Sequence, residues 1–378
     1  MKKSLLFAVM VISLLLAACF SPWSGDEAVL TVTVGGSGSS RALLPLDSNN
    51  QPTIDLTYEL ILEGTGRTHR FNFTGSSATV KVPPGRYNIT VRANTGSTLR
   101  ALGEKPNVTL RGGKVRLPID MYGAREVTSW VELASATAES LQTHPVTGDP
   151  RKEIILLRNG SDPANDWKST GVPPDIQRPI IIRAVEQVTI KKGVSNKLFK
   201  IVTSGHLTLE GDLTLDGNNF SPNSFPLIEV SGGELIINNG VTLRNNNNTS
   251  ATTGGAVRVT LGKFTMNGGT ISGNETTTNG GGVYVNGGVT FIMNGGTISG
   301  NTATTNGGGV FVSTGGFFRM INGTIYGIDE PAFTNNCING AAISNNGTAT
   351  YGLAGASIID TVHGDENNTI RAKDGKKL

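Results

Sequence analysis

Cysteine is almost missing from this chain. Two occur in 378 residues, Cys19 and Cys337, which is too few for a disulfide framework. Charge is also scarce: charged residues make up 16% of the chain, and removing Lys2 and Lys3 with an export segment leaves 30 basic against 29 acidic side chains. A chain so close to neutral offers no electrostatic footprint for nucleic acid, so charge argues for no such partner and none is expected. Long apolar runs are limited to Leu5 to Leu16, too short to span a bilayer. Metal-binding patterns are missing as well. The glycine-rich corners carry Asn or Val where a calcium-binding β-roll needs Asp, so neither metal nor cofactor is expected.

What is abundant is glycine, 50 residues, and it is periodic. F-T-M-N-G-G-T-I-S-G-N from Phe264 returns as F-I-M-N-G-G-T-I-S-G-N from Phe291 and as F-R-M-I-N-G-T-I-Y-G-I from Phe318, each 27 residues on. N-G-G-G-V-Y-V at Asn279 to Val285 returns at Asn306 to Val312. Apolar residues alternate within these short runs, so one face of each is buried. Short strands cannot bury that face alone, and stacking successive coils can. The period therefore predicts a right-handed parallel β-helix with internal columns Phe264/Phe291/Phe318, Met266/Met293/Met320 and Ile271/Ile298/Ile325. Asn274 and Asn301 are expected to stack as an internal amide ladder that Ile328 ends.

Weaker copies extend the array backward. Leu207, Leu209, Leu213 and Leu215 stand against Leu235, Ile237, Val241 and Leu243, with earlier strands at Ile154 to Leu157 and Ile180 to Ile190. Asn159 to Arg178 reads as an intervening loop, and the period fails after Gly327, with remnants at Gly340 to Ile343 and Thr369 to Ala372. Roughly eight coils give an axis of about 40 Å. At the start, Ser129 lies three residues before Glu132, the spacing of a capping box. Trp130, Leu133, Ala134 and Leu141 follow at helical spacing. An N-terminal capping helix over the first coil is the expectation, since an open stack exposes strand edges.

Lys2-Lys3, the apolar run and Leu16-Ala17-Ala18-Cys19 describe a secretory signal. Leu-Ala-Ala-Cys closely resembles the lipobox of bacterial lipoproteins. That resemblance implies lipidation of Cys19, a stable membrane anchor and, with Phe20-Ser21 following, export to the outer membrane. Residues 1–18 then form the signal and 19–27 a lipidated tether. With Cys19 lipidated, Cys337 has no partner in the chain and reads as a small buried residue.

Residues 28–124 carry about seven alternating runs, among them Leu30-Val32-Val34, Tyr87-Ile89-Val91, Val108-Leu110 and Val115-Leu117-Ile119-Met121, with Gly35 to Asn50 a long loop. This pattern predicts an Ig-like or prealbumin-like β-sandwich. Val82-Pro-Pro-Gly-Arg-Tyr87 resembles the corner of bacterial regulatory-like sandwich modules. The fold class is all-β throughout, with the β-helix over 125–378 and its best repeats at 254–328.

Gly254-Gly-Ala-Val257 and Ile271-Ser-Gly-Asn274 resemble the repeats of polymorphic outer-membrane-protein-like β-helices of the pectin-lyase-like type. The large members of that family end in a translocating barrel, whereas this chain ends in Ala-Lys-Asp-Gly-Lys-Lys-Leu378. Many right-handed β-helices are polysaccharide lyases or glycosidases, which need paired carboxylates or an acidic cluster beside a base. Asp212, Asp216, Glu229, Glu234 and Glu275 are few and scattered, and outward carboxylates of this kind are expected to be solvated. Asp216 with Glu210 and Arg244 is the best enzyme-like group, and His206 lies on the same coil. No catalytic residue is assigned. Thr270, Thr297 and Thr324 form a threonine column, but its neighbour Ser272, Ser299, Tyr326 breaks the flat array of an ice-binding surface.

The function expected is non-catalytic display at the cell surface, as an adhesin or interaction scaffold toward a host, cell-surface or glycan ligand. The alternatives are a carbohydrate-active β-helix with its site in residues 144 to 220, or a glycan-binding module.

Overall fold

A computed structural model describes residues 27–34, 56–138, 153–162, 166–171, 175–249, 254–327, 332–338, 343–346, 348–351, 356–359 and 362–363. Cys19, the signal 1–18, the tether up to residue 26, the loop 35–50 and Thr369 to Ala372 lie outside them. The chain divides into two compact units between Tyr122 and Gly123.

In the first unit the alternating runs form two sheets. Ala28–Val34 lies between Ser77–Val82, antiparallel to it, and Gly113–Ile119, parallel to it. Thr57–Gly64 lies between Arg67–Thr74 and Gly85–Thr95, and Thr98–Leu110 pairs with Gly85–Thr95, all antiparallel. Leu30 and Val32 from one sheet share a buried cluster with Leu60, Leu62, Ile89 and Val91 from the other. Period-2 patterning thus places one face of every strand in a common core. The run read as Val108 to Leu110 begins at Thr98, because its alternation is broken between Leu99 and Leu102, where three consecutive residues, Ala101 to Gly103, are buried. The Tyr87 hydroxyl donates to the Pro83 carbonyl at 2.9 Å, which pins the Pro-Pro-Gly corner to the following strand.

The second unit is a parallel β-solenoid of right-handed type with about seven turns. The expected count was about eight; strands at both ends belong to incomplete turns. Three parallel ladders run along it. The first joins Phe199–Ile201, the start of Ile228–Ile237, the start of Val257–Met266, Val283–Val285, Val310–Val312 and Ile343–Asn345. The second passes through Glu153–Leu157, Pro179–Lys191, His206–Asp216, the ends of Ile228–Ile237 and Val257–Met266, Thr290–Met293 and Phe317–Met320. The third includes Thr242–Arg244, Thr270–Ser272, Thr297–Ser299 and Gly323–Tyr326.

The columns read from the 27-residue period are in register. Phe264, Phe291 and Phe318 face one another, as do the three methionines and the three isoleucines, all at most 1% exposed. The phenyl rings stack, with centroids 4.5 Å apart for Phe264 and Phe291 and 4.9 Å for Phe291 and Phe318. Phe291→Ala removes the middle ring of this closed stack and is expected to cost about 3–5 kcal/mol. Urea unfolding of the purified variant measures it, and a loss under about 1 kcal/mol would contradict tight packing here.

Trp130–Ala138 is helical. The Ser129 Oγ accepts from the Glu132 N–H at 3.3 Å, while the Glu132 carboxylate reaches back to the Thr128 N–H at 2.6 Å. The reciprocal bond therefore falls one residue earlier than in a standard capping box. Trp130, Leu133 and Ala136 join the solenoid's buried cluster, and the Trp130 ring lies 6.1 Å from that of Phe199. Glu153 holds Arg125 on one carboxylate oxygen and Arg178 on the other, and Arg178 also donates to the Ala136 carbonyl at 2.9 Å. A cation at the last carbonyls of a helix complements its dipole.

Candidate functional site

The acidic side chains of the solenoid are not simply solvated, as the sequence led us to expect. Asp216 is 6% exposed. It accepts from Arg244 Nε at 2.9 Å, from the Asn218 N–H at 2.7 Å and from Asn245 Nδ2 at 3.3 Å. Glu229 pairs with Lys197 at 3.1 Å, and Glu234 with Lys263 at 2.9 Å. These side chains reach a neighbouring coil because a strand spacing near 4.8 Å brings the next rung's cation within range. Asp212 and Glu275 remain exposed, as does His206, whose Nδ1 lies 3.2 Å from the Ser204 carbonyl.

Asp216 and Arg244 are brought together as read, but Glu210 is not part of that group. It lies in the second ladder and Asp216 in the third, with a corner at Gly211 (φ 81°) between them. Glu210 instead pairs with Arg183 at 2.7 Å and accepts from Asn238 Nδ2 at 3.3 Å. Asn267 donates to Asn238 at 2.9 Å and Asn294 to Asn267 at 2.7 Å, so a solvent-facing row of amides runs up this corner. It borders a shallow groove of about 410 Å³ lined by Arg183, Glu210, Gly211, Asn238, Asn239 and Asn267. With both oxygens of Glu210 engaged, the groove presents hydrogen-bond donors and acceptors rather than a free general base.

The threonine column is longer than the three residues read from the repeats. Thr189, Thr214, Thr242, Thr270, Thr297 and Thr324 stand in register on the third ladder. The neighbouring row, Lys191, Asp216, Arg244, Ser272 and Ser299, is charged along its first half.

Inside the third ladder's corner the expected amide ladder forms and extends in both directions. Asn274 Nδ2 donates to Asn301 Oδ1 at 2.9 Å, and Asn301 Nδ2 to Asn335 Oδ1 at 2.9 Å. Asn335 thus continues the row that Ile328 was expected to end, because it takes the rung above Asn301. At the other end the Asn246 N–H donates to Asn274 Oδ1 at 3.2 Å, and Asn223 Nδ2 to Asn246 Oδ1 at 3.0 Å. Lys192 closes the row. It is fully buried, and its Nζ donates to Asn246 Oδ1 at 2.7 Å, the Phe225 carbonyl at 3.1 Å and Asn223 Oδ1 at 3.2 Å. Burial pushes its pKa down to about 7. Lys192 went unread, although the alternation Val188, Ile190, Lys192 points it inward.

The two segments that interrupt the repeat are partly internal. Between Asn159 and Arg178, Trp167 is 1% exposed and Arg178 is 7% exposed, and the 328–336 insertion supplies Asn335. Cys337 is partly exposed rather than buried. Among the described residues no group of His, Cys, Asp and Glu is arranged to hold a metal ion, and no helix is long and apolar enough to cross a membrane. Comparison of the chain with protein-family models, curated proteins and solved structures finds no match.

Proposed function

We propose that the protein is a lipid-anchored outer-membrane lipoprotein that displays the solenoid at the cell surface as an adhesin or interaction scaffold. On this reading Cys19 carries the lipid, the first unit is an Ig-like or prealbumin-like sandwich acting as a stalk, and the helix Trp130–Ala138 caps the stack. The solenoid is then a pectin-lyase-like β-helix related to polymorphic outer-membrane-protein repeats. The observation that carries the non-catalytic part is the engagement of Asp216, Glu210 and Glu229, each held in an ion pair with a basic side chain. Stacked coils offer long regular faces suited to binding. The Arg183–Glu210 groove favours a second reading, a carbohydrate-active site in the irregular early coils.

Two measurements test this. Cys19→Ser is expected to move the protein from the detergent phase to the aqueous phase with the fold retained, and detergent-phase recovery of the variant would count against lipidation. Incubation with a panel of polysaccharides is expected to release no reducing ends and no unsaturated sugars. Product that disappears in Glu210→Gln would establish the enzyme reading instead.

A further inference from the structure

Charge that balances over the whole chain does not balance in the first unit, where the described residues carry ten basic against five acidic side chains. The excess is gathered at one end. Ala28 faces Val82 and Gly113 in one sheet, Gly85 faces Leu110 in the other, and the short links Pro83-Pro84 and Arg111-Gly112 join the two sheets there. The turn from Gly64 to Arg67 closes the same end of the second sheet, with Gly64 opposite Tyr87. Arg67, Lys81, Arg86, Arg111 and Lys114 all lie at or beside these strand ends, and all five are exposed. Among the described residues only Glu27 and Glu63 oppose them, Glu27 standing 3.9 Å from Lys81. At the other end the turns Thr74 to Ser77 and Thr95 to Thr98 carry no charged side chain, and Arg100 is offset by Asp120.

Arg67, Arg86, Arg111 and Lys114 make no side-chain hydrogen bond or ion pair with any described residue. Cations gathered without counter-charges repel one another, and a surface of opposite sign relieves that repulsion. The links between them hold glycine and proline rather than bulky side chains, so charge is the main thing this end presents. The Tyr87 ring there is 5% exposed and offers no face on which a base or a sugar could stack. Recognition is thus confined to anionic groups. This is also the end at which the chain enters the unit, at Ala28. With the anchor at Cys19, the intervening residues span at most about 30 Å, so the basic end is the part of the unit held closest to the lipid.

We infer that the basic end of the first unit docks on the anionic headgroups of the membrane, lipid phosphates supplying the negative charge that the protein lacks there. Each Lys or Arg within a Debye length of such a surface is attracted to it, and the guanidinium groups take phosphate oxygens on two parallel N–H donors. A patch of this size binds only weakly by itself. The tether makes the contact intramolecular, and a high effective concentration then keeps it closed. The first unit therefore stands end-on, with the uncharged Thr74 to Ser77 turn farthest from the lipid. This inference rests on the anchor at Cys19 and adds an orientation to it.

The test uses the chain from residue 19 onward carrying Cys19→Ser, so that no acyl chain contributes, and measures co-sedimentation with vesicles at low salt. Binding to phosphatidylcholine vesicles that contain phosphatidylglycerol is expected, weakening as salt is added, with none to phosphatidylcholine alone. Replacing Arg86, Arg111 and Lys114 together by Gln should lower the affinity about tenfold or more. Arg100→Gln, at the uncharged end, should bind like the parent chain. All four side chains are exposed, and circular dichroism checks that each variant folds. Equal binding of both vesicle types, no binding of either, or full binding by the triple variant overturns the inference. Tighter binding to a short DNA duplex than to the anionic vesicles would overturn it in favour of a nucleic-acid contact. Each of these leaves the anchor itself standing, since detergent partitioning of the lipidated protein tests Cys19 separately.

Discussion

Raising the pH above about 7 is expected to stabilise the solenoid through Lys192, whose pKa falls from 10.5 to about 7 on burial. Between those two values the unfolded chain holds a proton at this site that the folded chain has released. The linkage relation then makes stability rise with pH, by about 1.4 kcal/mol per unit for one proton. The full span approaches about 5 kcal/mol, enough to shift a urea midpoint visibly. Below about 7 both states carry the ammonium and the dependence vanishes. Lys192→Met should flatten the profile, because a neutral side chain of similar length fills the site. Titration is best held below the tyrosine range, since burial raises the pKa of Tyr58 and Tyr87 and their contribution has the opposite sign: it is lost as pH climbs through their folded values. Parallel pH profiles for the wild type and Lys192→Met would show that the buried amine is not the source.

The second large effect comes from deleting a repeat. Removing residues 281 to 307 joins Gly280 to Gly308 and brings Phe264 against Phe318, Thr270 against Thr324 and Asn274 against Asn335. Each is a pairing already made through one intermediate coil. A folded protein one turn shorter is expected, with slightly reduced stability, because stacked repeats contribute approximately additively. Removing 13 residues, 281 to 293, sets Gly280 against Asn294 and destroys all three ladders at once, and the solenoid beyond the cut should unfold. Circular dichroism and protease resistance distinguish the two deletions. Comparable resistance of both would mean that the period has no structural role.

These expectations rest on what the sequence could and could not disclose. The phenylalanine, methionine and isoleucine columns were legible because an exact spacing maps directly onto stacked rungs. So was the pair Asn274 and Asn301. The rest of that row was hidden by changes of spacing: Asn335 arrives 34 residues after Asn301, and Asn246 lies 23 after Asn223. Lys192 was obscured by its neighbour, since Lys191-Lys192-Gly193 looks like an exposed basic corner unless the alternation of the strand is carried one residue further. Asp216 was grouped correctly with Arg244, but its burial was missed because a turn carboxylate in isolation is usually hydrated, and only the register sets the two side by side on adjacent coils. The groove at Glu210 depends on Asn238 and Asn267 from later coils.

The interior row of asparagines has a beginning and an end. Every side-chain oxygen in it faces the preceding coil: Asn301 Oδ1 receives from Asn274, and Asn335 Oδ1 from Asn301. Lys192 occupies the oxygen-facing terminus. At the other terminus the amide of Asn335 is spent on the carbonyls of Ile298 and Tyr326, at 3.0 and 2.6 Å. Nothing is left over to recruit another strand-forming chain through this row. A duplicated 27-residue unit set between Asn246 and Asn335 would inherit side-chain partners on both sides, whereas the coils beyond the row, at Glu153–Leu157 and from Ile343–Asn345 onward, continue through the backbone ladders.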